Sequence, residues 1–425
     1  MELKTIYSKF LQCSSVSTDT RKIENNSLFI ALKGENFDAN TFAAEALNKG
    51  AKYVIIDNED FYIDEKTILV KDSFKSLQEL ANYHRQTLKL PIIGLTGSNG
   101  KTTTKELINV VLSKKYKTIA TIGNLNNHIG VPLTLLRLTA ETEIGIIEMG
   151  ANHQKEIELL CSIAEPDFGY ITNFGKAHLE GFGGIEGVIK GKSEMYTYLN
   201  SNKKIAFVNL DDKIQNEKTI HLTRFTFSQE DTNADVFITS VTANPMVKVE
   251  CNDSQIQTHL LGLYNANNIN AAITIGQYFK VDKLDIKNAL ENYVPENNRS
   301  QMIQKNGNSI IMDAYNANPS SMTVALENFF QLTETPKIAI LGDMFELGES
   351  SDEEHQKIVE LALNHKKILV YFIGKHFYKT KIETNHIHFF ENYEDFSNSF
   401  QNVTNSLLLI KGSRGMALER SLELL

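Results

Sequence analysis

Short apolar runs that alternate with helix-like stretches predict an α/β protein. After Pro91 the runs "PIIGL", "KTIAT", "IGIIEM", "FGYITN" and "KIAFVN" are bounded by turn residues, and helix-like stretches separate most of them. The alternation returns after Arg299 with "SIIMDA", "KIAILG", "ILVYFIG" and "LLLIKG". This order is typical of doubly wound sheets with helices on both faces.

A chain of 425 residues has room for roughly three domains, each with its own core. We predict a first domain at 1–88, which contains the runs "SLFIAL" and "KYVIID" and ends in a helix over Ser73–Leu88. The second is predicted at 89–295, where alternating polar and apolar residues over Asp235–Leu260 indicate an antiparallel extension. The third, at 296–425, is a further α/β unit without a G-x-G-x-x-G turn.

Composition excludes several classes of protein. Hydrophobic residues make up 42% and charged residues 22%, as in ordinary globular chains, and the net charge of −9 argues against a general nucleic-acid binder. Cys13, Cys161 and Cys251 lie far apart and fit neither a disulfide framework nor a zinc site. The first residues contain no apolar core of a signal peptide, and no stretch approaches a membrane-spanning length. We therefore expect a cytoplasmic protein without membrane insertion.

The stretch "GLTGSNGKTTTKE", which begins at Gly94, predicts a phosphate-binding loop. It follows an apolar run and opens a helix, so backbone N–H groups and the helix N-terminus can hold an anion. Lys101 is expected to reach the β- and γ-phosphates and Thr102 to coordinate Mg²⁺. Leu95 stands where the general G-x-x-x-x-G-K-[ST] pattern has glycine, so the fit is G-x-x-G-K-T. The ATP-binding residues predicted here are Gly97, Ser98, Asn99, Gly100, Lys101, Thr102 and Thr103.

Two ionisable side chains, Glu148 and His178, follow strands of the same predicted sheet. Glu148 ends the strand in "IIEMGAN", where α/β sheets bind ligands, and a carboxylate there is able to hold Mg²⁺ or to be an ordinary strand-end acid. His178 lies in "ITNFGKAHLEGFG", which follows the next strand. Lys190 and Lys192 in "GVIKGKSEMY" read by themselves as a solvated helix face.

Together these motifs resemble the Mur ligase family of ATP-dependent amide-forming enzymes. The resemblance covers essentially the whole chain and includes "STDTRKIENNSLFIALKGENFDAN", "GSNGKTTTKE", "GNLNNHIGVPLTLLRL", "GLYNANNINAA", "MDAYNANPSSM", "LGDMFELG" and "LLIKGSRGMALE". The family uses G-x-x-G-K-T loops, so Leu95 fits. The fold it implies has an N-terminal uridine-nucleotide-binding α/β domain, a central P-loop ATPase-like doubly wound domain and a C-terminal Rossmann-like domain that closes over ATP.

The resemblance also implies roles for individual residues. Lys192, rather than Lys190, matches a lysine that is carbamylated in the family, and Lys101, His178 and Lys192 are the expected catalytic residues. Two Mg²⁺ ions are expected at Thr102, Glu148, His178 and Lys192. The expected contacts to the nucleotide outside the phosphate loop are Asn265, Asn268, Arg299 and Asp313. Tyr264 stands at a position where the family has a histidine. The expected substrate-binding residues are Ser17, Thr18, Asp19, Arg21, Lys33, Gly34, Asp38, Asn126, Asn127, Asn316, Asn318, Lys411 and Arg414.

The activity that the resemblance implies is ligation of D-alanyl-D-alanine to UDP-N-acetylmuramoyl-tripeptide through an acyl phosphate. The implied cofactors are ATP and two Mg²⁺ ions, with a carbamylated Lys192. No nucleic-acid partner is expected, and nothing in the sequence requires more than a monomer. The alternatives are another amino-acid ligase of the same family or a nucleotide-binding protein without catalysis. Retention of Lys101, Glu148, His178 and Lys192 argues against the second.

Overall fold

The structure, a computed structural model, describes residues 2–251, 253–296 and 298–425. Its N-terminal part is a parallel sheet of four short strands in the order β1-β2-β5-β6, with β3 and β4 forming a separate hairpin. The elements are α1 Leu3–Phe10, β1 Val16–Ser17, β2 Leu28–Ile30, β3 Lys33–Gly34, β4 Phe37–Asp38, α2 Ala43–Asn48, β5 Tyr53–Ile56, β6 Thr67–Leu69 and α3 Ser73–Leu88.

A nine-stranded sheet follows, in the order β15-β14-β13-β12-β11-β10-β7-β9-β8. Its elements are β7 Ile92–Thr96, α4 Lys101–Leu112, β8 Thr118–Ala120, α5 Gly130–Leu135, β9 Ile144–Glu148, α6 Glu156–Ala164, β10 Phe168–Ile171, α7 Leu179–Phe182, α8 Ile185–Ser201, β11 Ile205–Asn209, α9 Lys213–Lys218, β12 Thr223–Ser228, β13 Val236–Ala243, β14 Met246–Cys251, β15 Ser254–Leu261, α10 Ala266–Tyr278 and α11 Lys283–Glu291. Strands β7 and β10 are neighbours, but the chain leaves them toward opposite edges of the sheet. The crevice outside their carboxyl ends is where such sheets bind ligands.

The C-terminal part is a six-stranded sheet in the order β16-β17-β21-β18-β19-β20, parallel except for β16. Its elements are β16 Gln301–Lys305, β17 Asn308–Asp313, α12 Pro319–Gln331, β18 Lys337–Gly342, α13 Ser351–Leu363, β19 Ile368–Ile373, α14 Lys375–Lys379, β20 Ile387–Phe390, α15 Tyr393–Ser399 and β21 Leu407–Lys411. Among the described residues, no helix is both long and apolar enough to cross a membrane.

The α/β fold class predicted from the sequence is confirmed. The alternation over Asp235–Leu260 also corresponds to β13, β14 and β15, which pair antiparallel, while β13 joins the parallel strands through β12. Strand β14 buries every second residue, the pattern expected when one face of a sheet is covered. The limits of the three domains stay a prediction.

Helix α3 joins the N-terminal sheet to the central one through a buried ion pair. Its buried residues Leu77, Leu80, Ala81 and His84 follow a helical period, so one face is apolar. Arg85 lies on the same buried face, where its Nη2 is 2.7 Å from Asp167 Oδ2 and its Nε donates to the carbonyl of Ala164. The connection between the two parts is therefore packed and polar groups within it are paired.

A buried histidine braces the turn after β18. His355 of α13 is fully buried, and its Nε2 accepts a hydrogen bond from the backbone N–H of Met344 at 3.0 Å. Its Nδ1 donates to the carbonyl of Ser351 at 2.7 Å, so the ring is neutral with the proton on Nδ1. Burial lowers the pKa of His355, and Asp343 and the Ser351 carbonyl oppose that effect in part. Protonation of Nε2 would break the bond to Met344.

We expect His355 to lower the free energy of unfolding in mild acid. The pKa of His355 is depressed in the folded state, so the unfolded chain takes up a proton first as the pH drops below about 6.5. Between pH 7.5 and 5.5 the wild type should lose up to about 1.4 kcal/mol more unfolding free energy than His355→Gln. Urea unfolding at both pH values measures the difference, and the other histidines cancel because both proteins retain them. Equal pH dependence in the two proteins would contradict the neutral assignment.

Candidate active site

The phosphate loop is a tight turn between β7 and α4 that needs glycine at two positions. Gly97 and Gly100 have φ values of +146° and +80°, in the region that favours glycine. A Cβ on Gly100 would lie 2.5 Å from Asn268 Oδ1. Gly100 is also the residue that precedes the first turn of α4, so the loop presents backbone N–H groups at a helix N-terminus.

Asn99 at the tip of the loop connects three parts of the site. Its backbone N–H donates to Asn173 Oδ1 at 3.0 Å, and its carbonyl accepts from the hydroxyl of Thr172 at 2.5 Å. Its own Oδ1 accepts from Asn318 Nδ2 at 2.7 Å. Because Thr172 and Asn173 follow β10 and Asn318 precedes α12, the loop is tied both to the neighbouring strand and to the C-terminal sheet.

Lys101 folds back over the loop. Its Nζ donates to the carbonyl of Gly97 at 2.8 Å and to that of Ser98 at 3.3 Å. Burial lowers the pKa of Lys101; Glu148 opposes this effect and Arg299 adds to it. A cation held above a ring of N–H groups is suited to the charge on a polyphosphate.

Glu148 lies at the end of β9, and its two carboxylate oxygens have different surroundings. Its Oε1 accepts from Thr102 Oγ1 at 3.2 Å and from Asn126 Nδ2 at 2.8 Å. Within the described residues, its Oε2 is buried and has no hydrogen-bond partner. Buried polar atoms are rarely left without a partner, so this oxygen fits a hard cation such as Mg²⁺.

Lys192 lies within the protein, while Lys190 lies on its surface. Val188, Lys192, Met195 and Leu199 share the buried stripe of α8. Lys192 Nζ has no hydrogen-bond partner among the described residues and lies 5.3 Å from the centre of the Phe182 ring. Burial, together with the charge of Lys101, holds the pKa of Lys192 well below its usual range, with Glu156 opposing. The helical period of these apolar positions is the sequence signal that distinguishes the two lysines.

His178 precedes the short helix α7 with φ +53°. Its Nδ1 donates to the carboxylate of Glu346, which belongs to the turn after β18 in the C-terminal sheet. Burial lowers the pKa of His178, and the charge of Glu346 acts in the opposite direction. The histidine therefore lies at the junction of the central and C-terminal parts.

A cavity of about 760 Å³ lies between the central and C-terminal sheets. The predicted residues that line it are Ser98, Asn99, Gly100, Lys101, Thr102, Thr103, Asn126, Asn127, Glu148, His178, Asn265, Asn268, Arg299, Asp313, Asn316, Asn318 and Lys411. Arg414 lines a second cavity of about 300 Å³, which shares His178, Asn316 and Asn318 with the first. Gly97 and Lys192 line neither cavity.

Asn265 and Asn268 of the predicted adenine side already bond to protein groups. Asn268 Nδ2 donates to Asn265 Oδ1 at 2.9 Å, and Asn268 Oδ1 accepts from Thr104 Oγ1 at 2.9 Å. Asn265 Nδ2 donates to the carbonyl of Leu261 at 2.8 Å. The two amides thus connect α10 to α4 directly beneath Gly100.

The C-terminal sheet contributes a buried ion pair and an arginine stacked on a ring. Lys411 Nζ lies 2.6 Å from Asp313 Oδ2, and the lysine is 2% exposed. Asp313 Oδ1 accepts from the backbone N–H of Ser300 at 3.1 Å. The guanidinium of Arg299 lies 3.5 Å from the centre of the Tyr315 ring. Arg299 precedes β16, Asp313 ends β17 and Lys411 ends β21. All three line the cavity opposite the phosphate loop.

The predicted first-domain residues do not reach the cavity. Ser17, Thr18, Asp19, Arg21, Lys33, Gly34 and Asp38 are absent from its lining. Asp19 forms two hydrogen bonds with the Arg21 guanidinium, at 2.9 and 2.8 Å, and these bonds lower the pKa of Asp19 to about 2. Lys33 Nζ lies 2.8 Å from Asp57 Oδ1. The structure therefore separates this group from the phosphate loop.

Sequence reasoning missed several residues that join the central and C-terminal parts. Glu346 contacts His178, and Lys176 Nζ lies 2.6 Å from Glu354 Oε1. Tyr264 and Ser300 share a hydrogen bond of 2.9 Å between their hydroxyls. The motif "LGDMFELG" was a signal for Glu346, but no spacing in the sequence indicates which residue faces it.

Comparisons with known proteins agree with this geometry. Family models match three stretches: Mur ligase family, catalytic domain, at 12–87; Mur ligase middle domain at 95–276; and Mur ligase, glutamate ligase domain, at 298–414. The UDP-N-acetylmuramoyl-tripeptide–D-alanyl-D-alanine ligase of Bacillus subtilis (strain 168) is 34% identical over 95% of this chain and 91% of its own length. The chain belongs to the Mur ligase family.

Two solved MurF structures share the fold over nearly the full length of this chain. A crystal structure of MurF from Acinetobacter baumannii has a TM-score of 0.84 and 29% identity, covering 99% of this chain and 98% of its own. MurF from Thermotoga maritima in complex with ADP has a TM-score of 0.82 and 28% identity, covering 98% and 97%. The three-domain Mur ligase fold expected from the sequence is thus confirmed.

The site contains no ready-made metal cage in the part of the chain that the structure describes. No group of three or more His, Cys, Asp or Glu side chains there is placed to hold an ion. A hydroxyl and a single buried carboxylate, Thr102 and Glu148, face the phosphate loop instead. Mg²⁺ commonly binds in this way, through one or two carboxylates plus substrate phosphates.

We expect Lys192 and Lys190 to respond differently to the same substitution. Lys192→Met should lower ligase activity at least about 100-fold, because the buried amine that the family resemblance marks for carbamylation is lost. Its urea midpoint should not fall, since a methionine removes the cost of burying the amine. Lys190→Met, on the exposed side of α8, is the matched control and should leave activity within about twofold. Loss of activity in the Lys190 variant alone would contradict the assignment.

Proposed function

We propose that this Mur ligase joins D-alanyl-D-alanine to UDP-N-acetylmuramoyl-tripeptide and converts ATP to ADP and phosphate. The observation that carries the proposal is one cavity lined by the phosphate loop, Glu148, Arg299 and Asp313, in a chain 34% identical to the Bacillus subtilis ligase. An amide does not form from a free carboxylate in water, so the carboxylate must first be activated. The tripeptide carboxylate takes the γ-phosphoryl group, and the dipeptide amine then displaces phosphate from the acyl phosphate.

The chain's own residues position and neutralise the phosphates. Backbone N–H groups of the Gly97–Gly100 turn hold the nucleotide, and Lys101 exchanges its bonds to loop carbonyls for phosphate oxygens. Arg299 adds a second cation from the other side of the cavity. Holding acceptor and nucleotide between two sheets excludes water, which otherwise competes for the phosphoryl group.

Mg²⁺ fits the residues around Glu148. The unpaired buried Oε2 of Glu148 and the Thr102 hydroxyl are hard oxygen ligands beside the phosphate loop. Bound there, the ion supplies electrostatic stabilisation of the negative charge on the transferring phosphoryl group. We propose His178 as a ligand of a second ion, and it would then need to release or share its bond to Glu346.

Lys192 is suited to carbamylation. The reaction requires a neutral amine, and burial lowers the pKa of Lys192 strongly. The amine nitrogen would bond to the carbon of CO₂ with release of one proton, which converts an unpaired amine into an anionic oxygen ligand. We propose this modified lysine as a ligand that supports the second Mg²⁺.

Each part of the chain has a proposed substrate. Residues 1–88 would bind the uridine nucleotide through Ser17, Thr18, Asp19, Arg21, Lys33, Gly34 and Asp38. Residues 89–295 would bind ATP, with Asn126 and Asn127 beside the acceptor. Residues 296–425 would bring Asn316, Asn318, Lys411 and Arg414 to the dipeptide. The monomeric state and the cytoplasmic location stay predictions.

The test of the function is phosphate release that depends on all three substrates. Purified enzyme with ATP, Mg²⁺ and UDP-N-acetylmuramoyl-tripeptide should release phosphate only when D-alanyl-D-alanine is added. Lys101→Met should lower the rate at least about 100-fold, which controls for contaminating ATPases. Parallel assays with lysine and diaminopimelate acceptors identify the third residue. Release that ignores the dipeptide would exclude this ligase and favour a nucleotide-binding protein of another kind.

The metal proposal predicts a changed Mg²⁺ requirement. Glu148→Gln preserves the size of the side chain but removes its negative charge, so half-maximal activity should need at least about tenfold more Mg²⁺. Glu141→Gln, an exposed acid paired with Lys117, is the control and should leave the requirement unchanged. An unchanged Mg²⁺ titration in the Glu148 variant would remove Glu148 from the metal site.

A further inference from the structure

The smaller cavity, of about 300 Å³, lies between the loops of the central part and the turns of the C-terminal sheet. Its size is at the lower end of the roughly 300–1,000 Å³ of small-molecule sites. Among the described residues that line it, Glu346 is the only carboxylate and Arg414 the only arginine, and there is no lysine. The cavity is therefore of mixed charge, and Phe345 gives it an apolar side chain.

The turn that carries Glu346 is fixed by hydrogen bonds from three directions. Asp343 is 2% exposed and accepts from the backbone N–H groups of His376 and Phe377 at 3.0 and 2.9 Å. The N–H of Met344 donates to buried His355. The N–H of Phe345 donates to Ser413 Oγ at 2.9 Å, next to Arg414. The backbone of the turn beside the cavity is therefore held at several points.

Glu346 itself has a left-handed backbone, with φ +61°. Glutamate seldom adopts this conformation, since Gly, Asn and Asp tolerate it better. Residues held in such conformations cluster at ligand sites, where the surrounding structure imposes them. Gly348, two residues later, has φ +55°, so glycine occurs in this turn but not at the position that faces the cavity.

One oxygen of the Glu346 carboxylate is available for a further hydrogen bond. Oε2 accepts a hydrogen bond from His178 Nδ1. Oε1 makes no hydrogen bond to any residue within 2–251, 253–296 and 298–425, the side chain is 54% exposed, and Glu346 lines the cavity. A second donor can therefore approach the carboxylate without displacing His178.

We propose that Glu346 binds the ammonium group of the incoming dipeptide, while the dipeptide's carboxylate meets the guanidinium of Arg414, which lines the same cavity and also pairs with Glu419 Oε1 at 2.8 Å. This inference rests on the proposed function and assigns the amine end of the dipeptide to a residue in the turn after β18. A free dipeptide is a zwitterion, and the cavity carries one group of each opposite charge. Asn316 and Asn318 line both cavities, and Asn318 bonds to Asn99 of the phosphate loop.

The proposal is tested with Glu346→Gln and with two forms of the ligand. The variant should raise KM for D-alanyl-D-alanine at least about tenfold, while KM for ATP stays within about twofold. N-acetyl-D-alanyl-D-alanine, which has no ammonium group, should inhibit the wild type and the variant with the same Ki. Glu349→Gln, an exposed acid three residues along the same turn and outside both cavities, is the matched control.

Each outcome distinguishes the roles that Glu346 can have. An unchanged dipeptide KM would overturn the proposal, and so would a Ki for the acetylated dipeptide that rises in parallel with KM. A parallel rise in KM for ATP would instead assign Glu346 to domain closure through His178. If the wild type releases phosphate without any dipeptide, the proposed function fails and this inference fails with it.

Discussion

The junction at Asn99 places the phosphate loop, the neighbouring strand and the C-terminal sheet in one arrangement. Its backbone bonds to Thr172 and Asn173 fix the tip of the loop against the end of β10, and its side-chain amide accepts from Asn318. Asn318 also begins α12, since its Oδ1 accepts from the N–H of Ser321 at 2.9 Å. The position of a whole helix in the C-terminal part is thus coupled to a single residue of the nucleotide loop.

Charged groups in the interior divide into those that are paired and those that are not. Lys411 with Asp313 and Arg85 with Asp167 are ion pairs whose partners offset the cost of burial. Lys192 Nζ and Glu148 Oε2 have no such partner in the described part of the chain, although both are buried. Unpaired buried groups are costly in a native protein and concentrate where a ligand or ion completes them. This contrast marks Lys192 and Glu148 as the buried charged groups that a ligand or ion would complete.

Much of the fold followed from local patterns. The loop, the helix over Lys101–Leu112 and the strand before it agree with the structure because turn chemistry, capping and periodicity all act within a few residues. Lys192 was chosen over Lys190 from the family resemblance, and in the structure it shares a buried helical stripe with Val188, Met195 and Leu199. By contrast, the bond between His178 and Glu346 joins positions far apart in the chain, and no local pattern specifies it.

The sequence by itself determined the α/β class, the glycines that the phosphate loop requires and the family to which the chain belongs. These properties depend on short-range sterics and on motifs a few residues long. Only the tertiary structure decided that, among the described residues, Glu148 Oε2 and the enclosed Lys192 Nζ have no hydrogen-bond partner, and that Glu346 and Arg414 line one small cavity. Burial and pairing of charges depend on which strands and turns are brought together, and packing of three sheets sets that arrangement rather than neighbours in the chain.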